Sequence, residues 1–136
     1  MPIYHIVWHG YKAEPSERVL KERYAMFQSA FGDASFIERG IVGRYLGPDD
    51  GYHDAVCVKF QDLECYRKHM LTSYHIDEAA HLRETVLRIR AFDIITPDEP
   101  DDTEAKIIGL YKERWKLFPE VAKVLREEID ARMPGL

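Results

Sequence analysis

Three histidines of the sequence, His69, His75 and His81, stand at equal intervals of six residues. An imidazole titrates near neutral pH, so it can serve as an acid–base group or as a metal ligand. Six residues turn a helix by about 600°, which leaves neighbouring side chains about 240° apart. One helix therefore cannot direct all three imidazoles at one ligand, and we interpret the equal spacing as accidental.

His75 is the histidine of this set whose predicted surroundings are apolar. Thr72 and Ser73 are typical of a helix start, so we predict a helix from Ser73 to about residue 86. Three apolar residues follow His75 at helical spacing: Ala79, Leu82 and Val86. His75 is therefore expected to face inward, either as a group available for chemistry or as a purely structural core histidine. His81 is expected to face water.

A second pair of chemical groups is predicted from the strands. Residues 3–9 alternate between two faces, and His5 and His9 share one of them with Val7. Asp93 lies among apolar residues of a strand over 87–95, where a carboxylate needs a partner. If these strands are antiparallel neighbours, a hydrogen bond between His5 and Asp93 follows and fixes the imidazole tautomer. A buried polar pair that only sets the strand register is the alternative.

The elements that must hold these residues follow in the order β-α-β-β-α-β. The predicted strands span residues 3–9, 36–46, 53–60 and 87–95, and the predicted helices 16–32, 62–70 and 73–86. This order predicts an α+β protein of the ferredoxin-like type, with helices on one face of a four-stranded antiparallel sheet. The other face is also apolar, with Tyr4, Ile6 and Trp8 on its first strand. A second copy of the sheet would cover it, so we expect a homodimer with a shared barrel core.

A boundary is predicted at residues 96–103, where prolines and acidic residues cluster. We therefore predict a dimeric α+β barrel domain over residues 1–97, and an acidic linker with a C-terminal helical extension over residues 98–136. Pro119 cannot occupy a helix interior, so the extension is expected to form two helices, roughly 104–116 and 118–132. Their apolar stripe is expected to pack on the barrel or on the partner subunit.

Several predicted faces converge on one space between the sheet and its helices. Apolar side chains outnumber polar ones there, which is typical of a small-molecule site. The predicted lining, in addition to His5, His75 and Asp93, consists of Val7, His9, Tyr24, Phe27, Val56, Val58, His69, Tyr74, Ala79, Leu82 and Ile89. This lining favours a small aromatic or polyketide-like substrate.

Composition disfavours several other classes of function. The net charge of −5, with acids and bases mixed, argues against nucleic acid and anionic membranes as partners. No apolar run is long enough to span a bilayer, and two isolated cysteines suit a reducing cytoplasm. His5 and His9 lie about 13 Å apart along one strand, too far to share an ion. We expect neither a metal nor another cofactor.

Short motifs within residues 1–97 resemble those of the stress-responsive A/B barrel family of dimeric α+β barrels. They are HIV at 5–7, DGY at 50–52 leading into AVCVKF, YH at 74–75 and FDI at 92–94. Within that family, the sequence is similar to polyketide cyclases of the olivetolic acid cyclase type. This resemblance implies a catalytic role for His75 and a pocket position for His5. It also implies that Asp93 corresponds to the aspartate on the fourth strand of the cyclases.

The sequence departs from the cyclase pattern at one position. The catalytic tyrosine of the cyclases falls on His69, which replaces a phenol by a far more basic imidazole. Tyr24 and Tyr74 are the candidates to supply a phenol in its place.

These expectations combine into a cofactor-independent enzyme that acts at a carbon next to a carbonyl. His75 would remove a proton, and His5, oriented by Asp93, would position the carbonyl or donate a proton to its oxygen. The reaction could be aldol-type cyclisation of a polyketide or the reverse C–C cleavage by a lyase. Two alternatives stay open. One is a non-catalytic stress-associated or small-molecule-binding barrel, and the other is a cofactor-free monooxygenase of the same barrel type.

Overall fold

The computed structural model of the chain describes residues 2–74 and 78–136. Its elements are β1 (Ile3–Tyr11), α1 (Glu17–Asp33), β2 (Arg39–Arg44), β3 (Asp54–Phe60), α2 (Leu63–Met70), α3 (Ala79–Thr85), β4 (Val86–Ile95), α4 (Thr103–Leu117), α5 (Pro119–Glu127) and β5 (Asp130–Arg132). The predicted β-α-β-β-α-β order is present, with α2 and α3 together in the second helical position. None of the helices described is long and apolar enough to cross a bilayer.

The strands form one mixed sheet in the order β2-β3-β1-β4-β5. Strands β1 to β4 pair antiparallel, whereas β5 pairs parallel with β4. The predicted α+β, ferredoxin-like fold class is therefore confirmed, with one strand more than expected. As the central strand, β1 places His5 directly opposite Asp93 of β4, and His9 directly opposite Asp54 of β3. Both pairs lie on the sheet face that the helices cover.

Local signals in the sequence explain how the first two helices begin and dock. The Ser16 hydroxyl accepts a hydrogen bond from the Val19 amide at 3.3 Å, and the Asp62 carboxylate accepts one from the Cys65 amide at 2.8 Å. Helix α1 approaches β2 closely because Gly40 has no side chain. A Cβ atom at Gly40 would lie 2.3 Å from the ring of Phe31.

The predicted helix start at Ser73 is wrong. Helix α3 begins at Ala79, and the described residues Ser73 and Tyr74 lie outside it. The reason is visible at the end of α2, where the Thr72 hydroxyl donates to the Lys68 carbonyl at 2.6 Å. Thr72 thus closes one helix instead of opening the next. His75, whose inward orientation was predicted from this helix, lies outside the described residues.

The C-terminal segment forms the two predicted helices, α4 and α5, with Pro119 as the first residue of the second. Helix α4 packs on α2, and α5 packs on α3. The prediction of helix to residue 132 is wrong, because the chain leaves α5 and enters β5. Strand β4 would otherwise present an unpaired edge of amide and carbonyl groups, and β5 occupies part of that edge.

The sheet face opposite the helices carries a transverse row of apolar side chains. The strand register aligns Ile41, Cys57, Ile6 and Phe92 across four strands. Trp8 packs edge-on against Phe92, with ring centroids 5.4 Å apart. In the single chain Ile41 is 53% exposed and Ile94 on the same face is 49% exposed, so this face lacks a covering layer.

Candidate functional site

A carboxylate held between a histidine and a tyrosine lies on the helix-covered face. His5 Nδ1 donates to Asp93 Oδ1 at 2.8 Å, and the Tyr111 hydroxyl donates to Asp93 Oδ2 at 2.7 Å. The side chains of His5 and Asp93 are only 8% and 7% exposed. The hydrogen bond predicted between His5 and Asp93 is therefore present, whereas Tyr111 of α4 was not predicted.

This bonding determines which nitrogen of His5 can react. An ionised carboxylate only accepts hydrogen bonds, so the hydrogen of a neutral His5 ring stays on Nδ1. Nε2 then keeps its lone pair, and no residue of the described ranges hydrogen-bonds to it. Burial, followed by the charge and hydrogen bond of Asp93, raises the pKa of Tyr111, which keeps this hydroxyl a donor at neutral pH.

His69 of α2 stands beside His5, with ring centroids 5.4 Å apart. Its Nδ1 atom lies 2.9 Å from the hydroxyl of Tyr74. Burial lowers the pKa of His69 well below the usual value for histidine, and the proximity of His5 and Arg114 lowers it further. His69 is therefore a neutral imidazole at pH 7, with one donor and one acceptor nitrogen.

His5, Val7 and His69 separate two pockets. The first, which we call the C-terminal pocket, is a small cavity of about 60 Å³ that opens to solvent. In addition to the three shared residues, it is lined by Met70, Leu82, Ile89, Tyr111, Arg114, Trp115, Val121, Leu125 and Met133. Six of the twelve lining residues come from the segment after residue 98, so the site draws on both predicted parts of the chain.

The second pocket, which we call the α1 pocket, lies between the sheet and α1 and is a small cavity of about 50 Å³ that opens to solvent. Apart from the three shared residues, it is lined by His9, Phe27, Phe31, Val56, Val58 and Tyr74. Two residues predicted as lining, Tyr24 and Ala79, are half-buried against the core and border neither pocket. The Tyr24 hydroxyl is buried, and burial raises its pKa, with a further contribution from Asp54.

A second carboxylate repeats the arrangement around Asp93. His9 Nδ1 donates to Asp54 Oδ1 at 2.9 Å, and the Tyr11 hydroxyl donates to Asp54 Oδ2. Asp54 is fully buried. The sequence contained the signal for this pair, because Asp54 begins the face of β3 that carries Val56 and Val58. Only the pairing of β3 with β1 was needed to place it opposite His9.

Helix α4 also fixes the chain just before residues 75–77. The Arg114 guanidinium donates to the carbonyls of Met70 and Thr72 at 2.8 and 2.9 Å. These bonds satisfy carbonyl groups at the end of α2 that have no helical partner. The backbone is therefore held at Thr72, directly before Ser73 and Tyr74. This helps to position the Tyr74 hydroxyl beside His69.

No protein-family model and no curated protein matches the chain. Solved structures do match. Hydroxynitrile lyase from Passiflora edulis is 19% identical with a TM-score of 0.57, and the match covers 73% of this chain and 97% of the lyase. A dimeric ferredoxin-like protein of unknown function from Bacteroides fragilis is 18% identical with a TM-score of 0.52, over 70% and 96% of the two chains.

SnoaB, a cofactor-independent oxygenase from Streptomyces nogalater, is 12% identical with a TM-score of 0.52, and the match covers 74% of this chain and 97% of the oxygenase. At these identities the similarity establishes the ferredoxin-like fold. In each of the three comparisons, more than a quarter of this chain lies outside the match.

The lowered pKa of His69 predicts how stability depends on pH. Below about pH 6.5 the unfolded chain protonates this imidazole while the folded protein does not, so the unfolded state binds more protons. The contribution of His69 is fully present above that pH and is lost as the pH falls. In urea unfolding between about pH 7.5 and pH 5, His69→Asn should lose less stability than the wild type, by up to about 1.4 kcal/mol per pH unit.

The control for this measurement is Gln28→Asn, since Gln28 is exposed on α1, does not titrate and borders neither pocket. This variant should keep the pH slope of the wild type. Equal slopes for His69→Asn and the wild type would contradict the assignment of a neutral, desolvated His69.

Proposed function

We propose that the protein is a cofactor-independent acid–base enzyme acting at a carbon next to a carbonyl, in the dimeric α+β barrel family. The observation that carries this proposal is the bonding of His5: its Nδ1–H is directed to Asp93, no residue within 2–74 and 78–136 hydrogen-bonds to Nε2, and the residue lines both pockets. An imidazole whose Nδ1–H is bound to a carboxylate has Nε2 available as a proton acceptor.

In the proposed step, His5 Nε2 takes a proton from a C–H group adjacent to a carbonyl. The C–H electron pair forms the enolate, and the negative charge moves to the carbonyl oxygen. The imidazolium that results lies 2.8 Å from the Asp93 carboxylate, which stabilises it. Tyr111 holds the second carboxylate oxygen and so fixes the orientation of both groups.

His69 is proposed to stabilise the enolate oxygen. If the Tyr74 hydroxyl donates to His69 Nδ1, the neutral ring carries its hydrogen on Nε2 and can donate it to an oxyanion. The lowered pKa of His69 keeps its ring neutral. A neutral imidazole can polarise a carbonyl by donating its N–H hydrogen bond to the oxygen. In this role His69 replaces the phenol of the cyclases, and Tyr74 acts through it.

The sequence predicts His75 as the general base; with His5 proposed as the base, we propose His75 as a second acid–base residue of the same site. The turn that Arg114 anchors places its neighbour Tyr74 in the α1 pocket. One histidine can then remove the proton while the other returns it to the product, as a cyclisation or a C–C cleavage requires.

The pockets favour an aromatic or polyketide-like substrate. Their lining is mainly aliphatic and aromatic, with imidazole, phenol and guanidinium groups at a few positions. An enolate formed at His5 can attack a second carbonyl, which is an aldol cyclisation. The same groups can run the reaction backwards as a lyase, and the similarity to a hydroxynitrile lyase supports this direction.

Cofactor-free oxygenation is the second candidate function, and the similarity to SnoaB favours it. A substrate carbanion formed at His5 would react with O₂ in the same pocket. Oxygen uptake on addition of an anthrone distinguishes this reaction from cyclisation or cleavage, which consume no oxygen.

The first prediction of this proposal concerns proton abstraction. The wild-type protein should catalyse exchange of the benzylic protons of phenylacetone for deuterium in D₂O, measured by NMR. His5→Asn keeps a donor to Asp93 but has no Nε2 base, so its exchange rate should fall about 100-fold or more, as should that of His75→Ala. Both variants should keep the wild-type circular dichroism spectrum.

The matched control is His81→Asn, which should exchange at the wild-type rate. Exchange that is unaffected by His5→Asn would remove His5 from the chemistry. A wild-type protein that binds small aromatics without exchanging any proton would instead favour the non-catalytic binding function.

A second prediction follows from the uncovered sheet face, which we propose to be the interface of a homodimer. The row of Ile41, Cys57, Ile6 and Phe92 would then meet its own symmetry copy. Ile6→Glu would place two carboxylates in that interface, so the dimer dissociation constant should rise about 100-fold or more. Analytical ultracentrifugation measures this change.

Leu117→Glu is the matched control, because Leu117 is 52% exposed on α4, away from this face. It should leave the mass unchanged. A wild-type monomer, or an Ile6→Glu variant that dimerises as well as the wild type, would contradict the proposed interface.

A further inference from the structure

His9 has the same bonding as His5, at the other end of the α1 pocket. Its Nδ1 donates to Asp54 at 2.9 Å, Asp54 also accepts from Tyr11, and the ring borders the pocket. We infer that His9 is a second acid–base residue of this site, which takes a proton from a hydroxyl or C–H group at the far end of the substrate. This inference rests on the proposed function and adds to it the class of substrate.

The electrostatic setting of His9 supports proton transfer. Asp54 is fully buried and His9 is 7% exposed, so the carboxylate has little water to screen its charge. An imidazolium formed at His9 would be stabilised directly by that carboxylate. Burial and the adjacent Asp54 raise the pKa of Tyr11 far above neutrality. The Tyr11 hydroxyl therefore stays protonated as a donor to Asp54, and the carboxylate is the charged group beside His9.

The geometry distinguishes His9 from a pair that only sets the strand register. The β1–β3 ladder already fixes the register through seven aligned residue pairs between Ile3 and His9. A pair with that role alone has no need to border a pocket, whereas the His9 ring does so, 5.8 Å from the ring of Phe27. Within the two described ranges, no hydrogen bond is made to His9 Nε2. Among the described residues, His9 thus has an unbonded proton acceptor on a ring that borders the pocket.

Two such bases on one strand define the kind of substrate. His5 and His9 are four residues apart on the same face of β1, which separates their Cα atoms by about 13 Å. A ligand that reaches both rings is elongated and carries two acidic positions, as a hydroxyaryl ketone or a linear poly-β-ketone does. At His9 an O–H bond breaks, its electron pair stays on oxygen, and a new N–H bond forms on Nε2. The proton returns to that oxygen when the product leaves.

The experiment uses 4-nitrophenol, whose absorbance near the visible range reports its ionised form. The full-length protein is titrated with millimolar probe, buffered below the pKa of the free probe. We expect bound phenolate at both imidazoles of the wild type. His9→Asn keeps an N–H donor for Asp54 but lacks Nε2, and it should lose about half of the phenolate signal. His5→Asn should lose the other half, the double variant nearly all, and His81→Asn none.

The outcomes separate this inference from the proposed function. A wild-type signal in His9→Asn, or no ionised probe with the wild-type protein, overturns the role of His9. If His9→Asn loses signal while His5→Asn does not, the inference about His9 stands and the proposed role of His5 fails. Chemical shift spectra of each variant confirm that the fold is unchanged, and Asp54→Asn, which removes the carboxylate while keeping His9, should reproduce the loss seen in His9→Asn.

Discussion

The site depends on one physical constraint, the burial of the Asp93 carboxylate opposite His5 on adjacent strands. A carboxylate with so little exposure must accept hydrogen bonds, and here it accepts one from each of two elements far apart in the sequence. Those two bonds determine the tautomer of His5 and the position of Tyr111. They therefore couple the central strand, the fourth strand and the C-terminal helix α4 at one point.

The segment after residue 98 contributes directly to the site and is not only an appended pair of helices. Tyr111 completes the hydrogen bonding of Asp93, Arg114 anchors the chain after α2, and Trp115 closes the C-terminal pocket. The solved structures of the same fold are almost fully covered by the match, yet more than a quarter of this chain extends beyond it. If the extension adapts the barrel to its own substrate, differences in pocket shape from those structures should lie along α4 and α5.

The sequence predicted the features that depend on local periodicity. Alternation along β1 placed His5 and His9 on the covered face, and the order of elements then paired His5 with Asp93. Tyr111 could not be predicted because its contact depends on how α4 docks, which no local pattern determines. The start of α3 was misplaced because Thr72 has a hydroxyl that can either begin a helix or close one, and the end of α2 competed for it.

The role of Asp93 in fixing the His5 tautomer is tested most directly by long-range ¹H–¹⁵N correlations of the histidine side chains near pH 7. We expect His5 to carry its hydrogen on Nδ1, with an unprotonated Nε2. We expect Asp93→Asn to shift the ring toward the other tautomer. A wild-type His5 with its hydrogen on Nε2, or a tautomer that is the same after Asp93→Asn, would contradict this role.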